Sequence, residues 1–219
     1  MMPADTASLQ NRVHRAVLYP DAAWYRLVIQ NDLCGCKLSP EEEAAVLDGA
    51  VQTAAITAQH VRDRFGSPSP QELLASLNIK LLHVEEELRE PYLYMGLYEP
   101  HIRTITLNES ATSGIRQFIK DNELAGITPA EDVERIVLFH EIFHALEEET
   151  PEIYTRSRML KRKALGVFPY VRGLASASEI AAIHFSKLLA GVCYSPCLFE
   201  RYLLLSINRI AIDFWMPNV

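Results

Sequence analysis

Ten residues, Arg135-Ile-Val-Leu-Phe-His-Glu-Ile-Phe-His144, limit what this chain can fold into more than any other stretch. Ile136, Val137, Leu138, Phe139, Ile142 and Phe143 leave no wet face, the pattern of a helix buried all round. Yet three ionisable groups, His140, Glu141 and His144, ride inside it. Carrying them into an apolar interior is costly unless they share a partner. The spacing supplies one: histidines at i and i+4 lie about 40° apart on one helix face and can grip a single Zn²⁺. Glu141 between them is then close enough to act as base toward a water. The plainer alternative, two core histidines bonded to backbone carbonyls beside an incidental glutamate, leaves the desolvation cost unanswered. Thr128, Pro129 and Glu131 stand at the spacing of a capping box with proline at N1, and Thr150-Pro151 forms a stop. The expected helix therefore runs from Thr128 to Glu149.

A trio of polar groups needs a core to sit in. With 219 residues, 49% hydrophobic and 22% charged, the chain suits an N-terminal helical segment (1–38) beside a main domain (39–219), or one domain over 1–219. A net charge of −7 opposes phosphate and argues against direct nucleic-acid binding. The N-terminus lacks an apolar run of signal-peptide length, and Lys187, Glu200, Arg201, Arg209 and Asp213 interrupt the apolar C-terminal stretches. The expectation is a cytoplasmic protein with no membrane partner. Four cysteines form two close pairs, Cys34/Cys36 and Cys193/Cys197. A second thiolate metal site is conceivable from them, but free thiols fit better, since neither spacing is Cys-x-x-Cys.

Elsewhere the punctuation is clear. A helix is expected over 7–31, around Trp24, Tyr25, Leu27, Val28 and Ile29. Ser39-Pro40-Glu41-Glu42 opens a helix reaching Gly66, and Ser69 with Glu72 opens a short one to Leu77. From Ile79 the period changes to two, giving strands near Ile79–His83, Tyr92–Gly96 and Ile102–Asn108. Tight links between them predict an antiparallel meander, followed by a helix over Ser110–Asn122. The connection from Thr150 to Ala175 is basic (Arg156, Arg158, Lys161, Arg162, Lys163, Arg172) and is expected to hold a helix from Pro151 to Leu165. A solvated face suits this cluster better than a docking surface for an acidic partner, and no helix-turn-helix adjoins it. The expected fold class is α+β: mainly helical, with a small three-stranded antiparallel sheet on the helix bearing the histidines.

A catalytic zinc needs a third protein ligand. Glu179 is the candidate: Ala182, Ile183 and Ser186 share its helix face, and two of them are small enough for close approach to a partner helix. However, Ser176-x-x-Glu179 also fits a capping box, so the glutamate is equally readable as a cap. His184, at i+5, points away from Glu179 and reads as a core or rim histidine.

These stretches resemble the ImmA/IrrE metallopeptidase family. Arg135 to His144 is similar to its R-F-T-x-A-H-E-x-G-H signature. Glu179-x-x-Ala182-x-x-Phe185 with Leu188-Leu189 resembles its third-ligand helix, and Ile105 to Asn108 its I-x-L-N strand. The likeness spans roughly Pro40 to Leu189 and departs from the pattern at Phe143 (usually glycine), Ile183 (usually asparagine) and Ala190-Gly191. It implies a zincin-like fold and an intracellular zinc-dependent endopeptidase, with His140, His144 and Glu179 as ligands and Glu141 as base. Its protein substrate would be a regulator such as a transcriptional repressor. Phe143 is expected to narrow the site, the His101–Asn108 strand to hold an extended substrate as a sheet edge, and Tyr92, Tyr94, Tyr98, His101, Tyr154 or Tyr170 to donate to the oxyanion. The alternative of another class is a non-hydrolytic regulatory module that keeps the metallopeptidase fold.

Overall fold

In the computed structural model, residues 6–32, 38–88, 93–157, 159–164, 168–208 and 217 are described. Two helices, α1 (Thr6–Ala16) and α2 (Asp21–Asn31), replace the single one expected over 7–31. Pro20 causes the break: it lacks the amide a continuing helix needs, and it precedes α2 in extended conformation. The long helix α3 (Pro40–Phe65) follows the sequence signals closely, with a full Ser39/Glu42 capping box and Gly66 at φ 76° after its end. Helix α4 (Pro70–Ser76) repeats that box with Ser69 and Glu72.

Strands β1 (Lys80–Val84), β2 (Gly96–Glu99) and β3 (Thr104–Asn108) form a sheet in the order β1-β3-β2. The sheet is mixed, not antiparallel as expected: β3 pairs antiparallel with β2 but parallel with β1. Strand directions do alternate along the chain, as a meander requires. The difference lies in β3, which inserts between the other two and so runs beside β1 in the same sense. Thr104, Ile105 and Thr106 are β-branched and all five residues of β3 are buried, whereas β1 is half exposed, so the central slot suits β3. The second strand also starts at Gly96, where the expected one ended, and Tyr92 lies outside the described residues.

Asn108 ends β3 and caps α5 (Glu109–Asp121), its side chain accepting from the Ser110 amide. The histidine-bearing helix α6 (Asp132–Glu148) begins four residues later than expected. Thr128 is no cap: it is fully buried, and its hydroxyl bonds the Tyr202 hydroxyl at 3.1 Å. The expected helix over 151–165 is only the single turn α7 (Tyr154–Ser157), followed by an antiparallel hairpin of β4 (Met159–Ala164) and β5 (Phe168–Gly173). Phe, Tyr and Val in β5 supply a strand-forming partner. The side chains of Arg158, Lys161, Arg162, Lys163, Tyr170 and Arg172 lie outside the described residues.

Helices α8 (Ala175–Ala190) and α9 (Cys197–Ser206) complete the fold. Helix α8 is wedged between α3 and α6, with Ala177, Ile180, Ala181, Ala182 and Phe185 fully buried. One continuous apolar core joins all of this, from Leu9 and Trp24 through Phe139 and Phe185 to Leu203. No helix among the described residues is long and apolar enough to cross a membrane.

Candidate metal centre

Helix α6 delivers His140 and His144 to one side, and α8 delivers Glu179 to meet them. The two Nε2 atoms lie 3.2 Å apart. Glu179 Oε2 is 3.3 Å from His140 Nε2, and Oε1 is 3.7 Å from His144 Nε2. One donor atom from each residue falls within 4.8 Å of the others, so the three could hold a metal ion. No other such group of three occurs among the described residues. Small buried residues on α8, Ala182 and Ser186, permit the approach of the two helices.

The helix end shows that Glu179 is not needed as a cap. Leu174 is the N-cap of α8 and makes no side-chain cap, while the Ser176 amide donates to Asp32 Oδ2 at 2.9 Å. An acid from the end of α2 therefore caps the helix, and Glu179 is left to face the imidazoles. Its side chain is 49% exposed; desolvation of the remainder raises its pKa, but the hydrogen bond to His140 and the charges of the two imidazoles bring it down to about 2.

Behind the histidines sits a residue that sequence reading passed over. Glu147 is buried and lies 3.5 Å from His144 Nδ1. Its carboxylate also accepts from Ser178 Oγ at 2.7 Å and from the Thr155 hydroxyl. A carboxylate on Nδ1 turns Nε2 toward the other two donors and makes it a better ligand. Burial works against a charged His144, yet the Glu147 bond and the charges of Glu179, Glu141 and Glu147 prevail and lift its pKa to about 9. Glu147 follows His144 by three on the same helix, which is a visible signal; Ser178 and Thr155 carry none.

Glu141 faces the other way, toward the sheet. It is 7% exposed, and its Oε2 accepts from the Tyr98 amide at 3.0 Å. Glu141, His140, His144 and Glu179 border a cavity of about 960 Å³ walled by Leu93–Tyr98, α6, the start of α8, and Val28, Ile183, Phe199 and Leu203. The edge strand along this cavity is β2, not the His101–Asn108 segment expected from sequence, since β3 is central. Phe143 does not narrow the cavity: it is fully buried and packs its ring 5.4 Å from that of Phe185.

Of the expected oxyanion donors, Tyr94 and Tyr98 border the cavity, although the charges acting on the Tyr98 phenol, Arg103, Glu149 and Glu148, belong to other regions of the surface. Tyr154 donates to the Ala45 carbonyl beside a separate cavity, and His101 is exposed in the turn Pro100–Ile102. His184 bonds the Tyr25 hydroxyl at 2.9 Å, as befits a histidine pointing away from the site. Cys193 and Cys197 are free, and burial pushes the Cys197 thiol up to about 12, far from a thiolate ligand. Cys34 and Cys36 lie outside the described residues.

Two imidazole nitrogens, one carboxylate and a carboxylate orienting one imidazole suit zinc chemically, and Mn²⁺ or Fe²⁺ could use the same donors. A scan against protein-family models finds no match, and searches of curated proteins and of solved structures find none.

Proposed function

We propose that the protein is a zinc-dependent endopeptidase with a zincin-like arrangement of helix and edge strand, related to the ImmA/IrrE metallopeptidases. One observation carries this reading: His140, His144 and Glu179 converge at a cavity that a sheet edge and the buried Glu141 also border. When bound by these three ligands, zinc supplies Lewis acidity, which makes water a stronger acid and polarises a peptide carbonyl.

The chain does the rest. Glu141 takes a proton at its carboxylate and returns it to the departing amine. Tyr94 borders the cavity, and burial first, then a hydrogen bond with Glu86, push its pKa up to about 12, so it keeps its proton; to donate to developing negative charge its hydroxyl must turn from Glu86. Strand β2 offers an extended peptide the outward-facing backbone groups other than the Tyr98 amide, which Glu141 holds. The apolar wall of Val28, Ile183, Phe199 and Leu203 takes an adjoining side chain and keeps water away. The substrate class is a protein with an exposed extended segment, such as a repressor acting in the cytoplasm.

Metal analysis and cleavage of an unfolded fluorescent casein test this. One zinc per chain, lost in His140→Ala, with casein cleavage abolished by Glu141→Gln, is the expected result. Zinc bound without cleavage of casein or of a candidate repressor overturns the endopeptidase and leaves a non-hydrolytic module on the same fold.

A further inference from the structure

The edge of β2 makes an approach to Glu141 that only glycine permits. The Asn108 amide donates to the Met95 carbonyl at 2.9 Å, which makes Met95 and Asn108 a hydrogen-bonded pair at the end of the β2–β3 ladder. Antiparallel pairs alternate, so Gly96 opposite Leu107 and Tyr98 opposite Ile105 are the non-bonded pairs. Their N–H and C=O groups point away from β3, off the open edge. One of these outward amides, Tyr98 N–H, is the donor that meets Glu141 Oε2.

For that bond to form, the backbone of β2 must lie almost on the side of α6. A Cβ added at Gly96 would fall 2.7 Å from Glu141 Cγ, 2.8 Å from Val137 Cγ1 and 3.0 Å from Glu141 Oε1. Two of those distances are shorter than side-chain carbons tolerate, and Val137 is itself packed in the core. Any larger residue must push the strand off the helix or turn the Glu141 side chain aside. Glu141 Oε1 makes no hydrogen bond among the described residues, so Oε2 is the fixed oxygen and Oε1 the free one.

We infer that Gly96 is a positioning residue for Glu141: its bare Cα lets the edge strand close on the carboxylate, and Tyr98 N–H pins one oxygen so that the other is presented to a reactant. The role rests on the reading of Glu141 as general base, but the clamp is measurable without any reaction.

Amide hydrogen exchange on the full chain is the direct test. An outward amide on an open edge exchanges quickly unless something holds it. Tyr98 in the wild-type protein is expected to be protected, and about tenfold or more of that protection is lost in Gly96→Ala and in Glu141→Ala. Glu141→Gln keeps an acceptor oxygen and keeps the protection. The Leu97 and Glu99 amides, turned toward β3, stay protected throughout and report that the strand is folded. On zinc-loaded protein, Gly96→Ala lowers kcat for casein by about 100-fold at unchanged zinc content, as misplacement of a reacting group by around 1 Å does.

Thus Gly96→Ala loses both signals, while Glu141→Gln loses activity alone. Equal Tyr98 exchange in the wild type and Glu141→Ala overturns the clamp, and so does wild-type kcat in a folded Gly96→Ala. If Gly96→Ala unfolds, the Glu141→Ala and Glu141→Gln pair decides by itself. A wild-type chain that cleaves nothing removes the endopeptidase reading, and the exchange data still decide the geometry.

Discussion

Two buried carboxylates on one helix, Glu141 and Glu147, are equally hidden at 7% exposure and differently employed. Glu147 is saturated, with Ser178 Oγ, the Thr155 hydroxyl and His144 around it, and these contacts hold its pKa below the usual carboxylate range although burial pulls upward. Glu141 has a single donor, a backbone amide, and no side-chain hydrogen bond among the described residues; His144 acts on it only through charge. A fully bonded carboxylate is a strut, because taking up a proton would break what surrounds it. A carboxylate with one oxygen free can accept a proton without dismantling its setting. Burial alone therefore does not distinguish a working acid from a supporting one; the count and kind of donors does.

The sharpest way to break this contrast is to neutralise each acid in turn. Glu141→Gln is expected to lower casein cleavage by about 10²- to 10⁴-fold, the range for loss of a general base, with zinc content unchanged. Glu147→Gln is expected to do the reverse, weakening zinc binding by roughly 10- to 100-fold in a chelator competition while leaving kcat at saturating zinc close to wild type. Equal effects of the two substitutions on metal affinity would erase the distinction.

Acidity sharpens it further. The proton that His144 holds up to about 9 must leave Nε2 when a metal binds there, so zinc affinity should rise about tenfold per pH unit through neutrality and level off near 9. Metal-free protein should behave differently. The raised value of His144 means that its ion pairing stabilises fully below 6.5 and is lost as pH climbs toward 9. Glu147, with its lowered value, contributes above 4.5 and loses that contribution on acidification. Melting temperature of the metal-free chain is thus expected to peak between 4.5 and 6.5. The smallest expected effect is at the histidine outside the site: Tyr25→Phe removes one hydrogen bond to His184, costing about 1 kcal/mol in chemical denaturation with zinc affinity untouched.

Much of the candidate metal-holding trio was legible because it obeys local rules. His140 and His144 share a helix, and a four-residue spacing fixes their relation. Ser39 and Ser69 announce their helices by caps completed within three residues. One failure is local, the helix over 7–31 that Pro20 breaks in two; most of the others are long-range. Thr128 has the identity and spacing of a cap, but the partner that claims it, Tyr202, is 74 residues away. The first and third strands were placed closely and the second was not, starting at Gly96 where it was expected to end; the order β1-β3-β2 depends on which strand is buried deepest, a property of the whole assembly. The basic stretch after Ser157 reads as a helix face by composition, yet a hairpin partner at Phe168–Gly173 makes it a strand. Glu179 stood between two roles until its rival duty was found to belong to Asp32.

That bond between Asp32 and the Ser176 amide spans 144 positions of the chain and has a practical consequence. Anyone trimming the protein at the inviting proline before Glu41 would discard the acid that seats the third donor's helix, along with the Trp24 and Tyr25 rings beneath it. The shortened polypeptide would be expected to hold its cation loosely even with every coordinating side chain intact, because the first thirty-odd residues act as the far anchor of the grip.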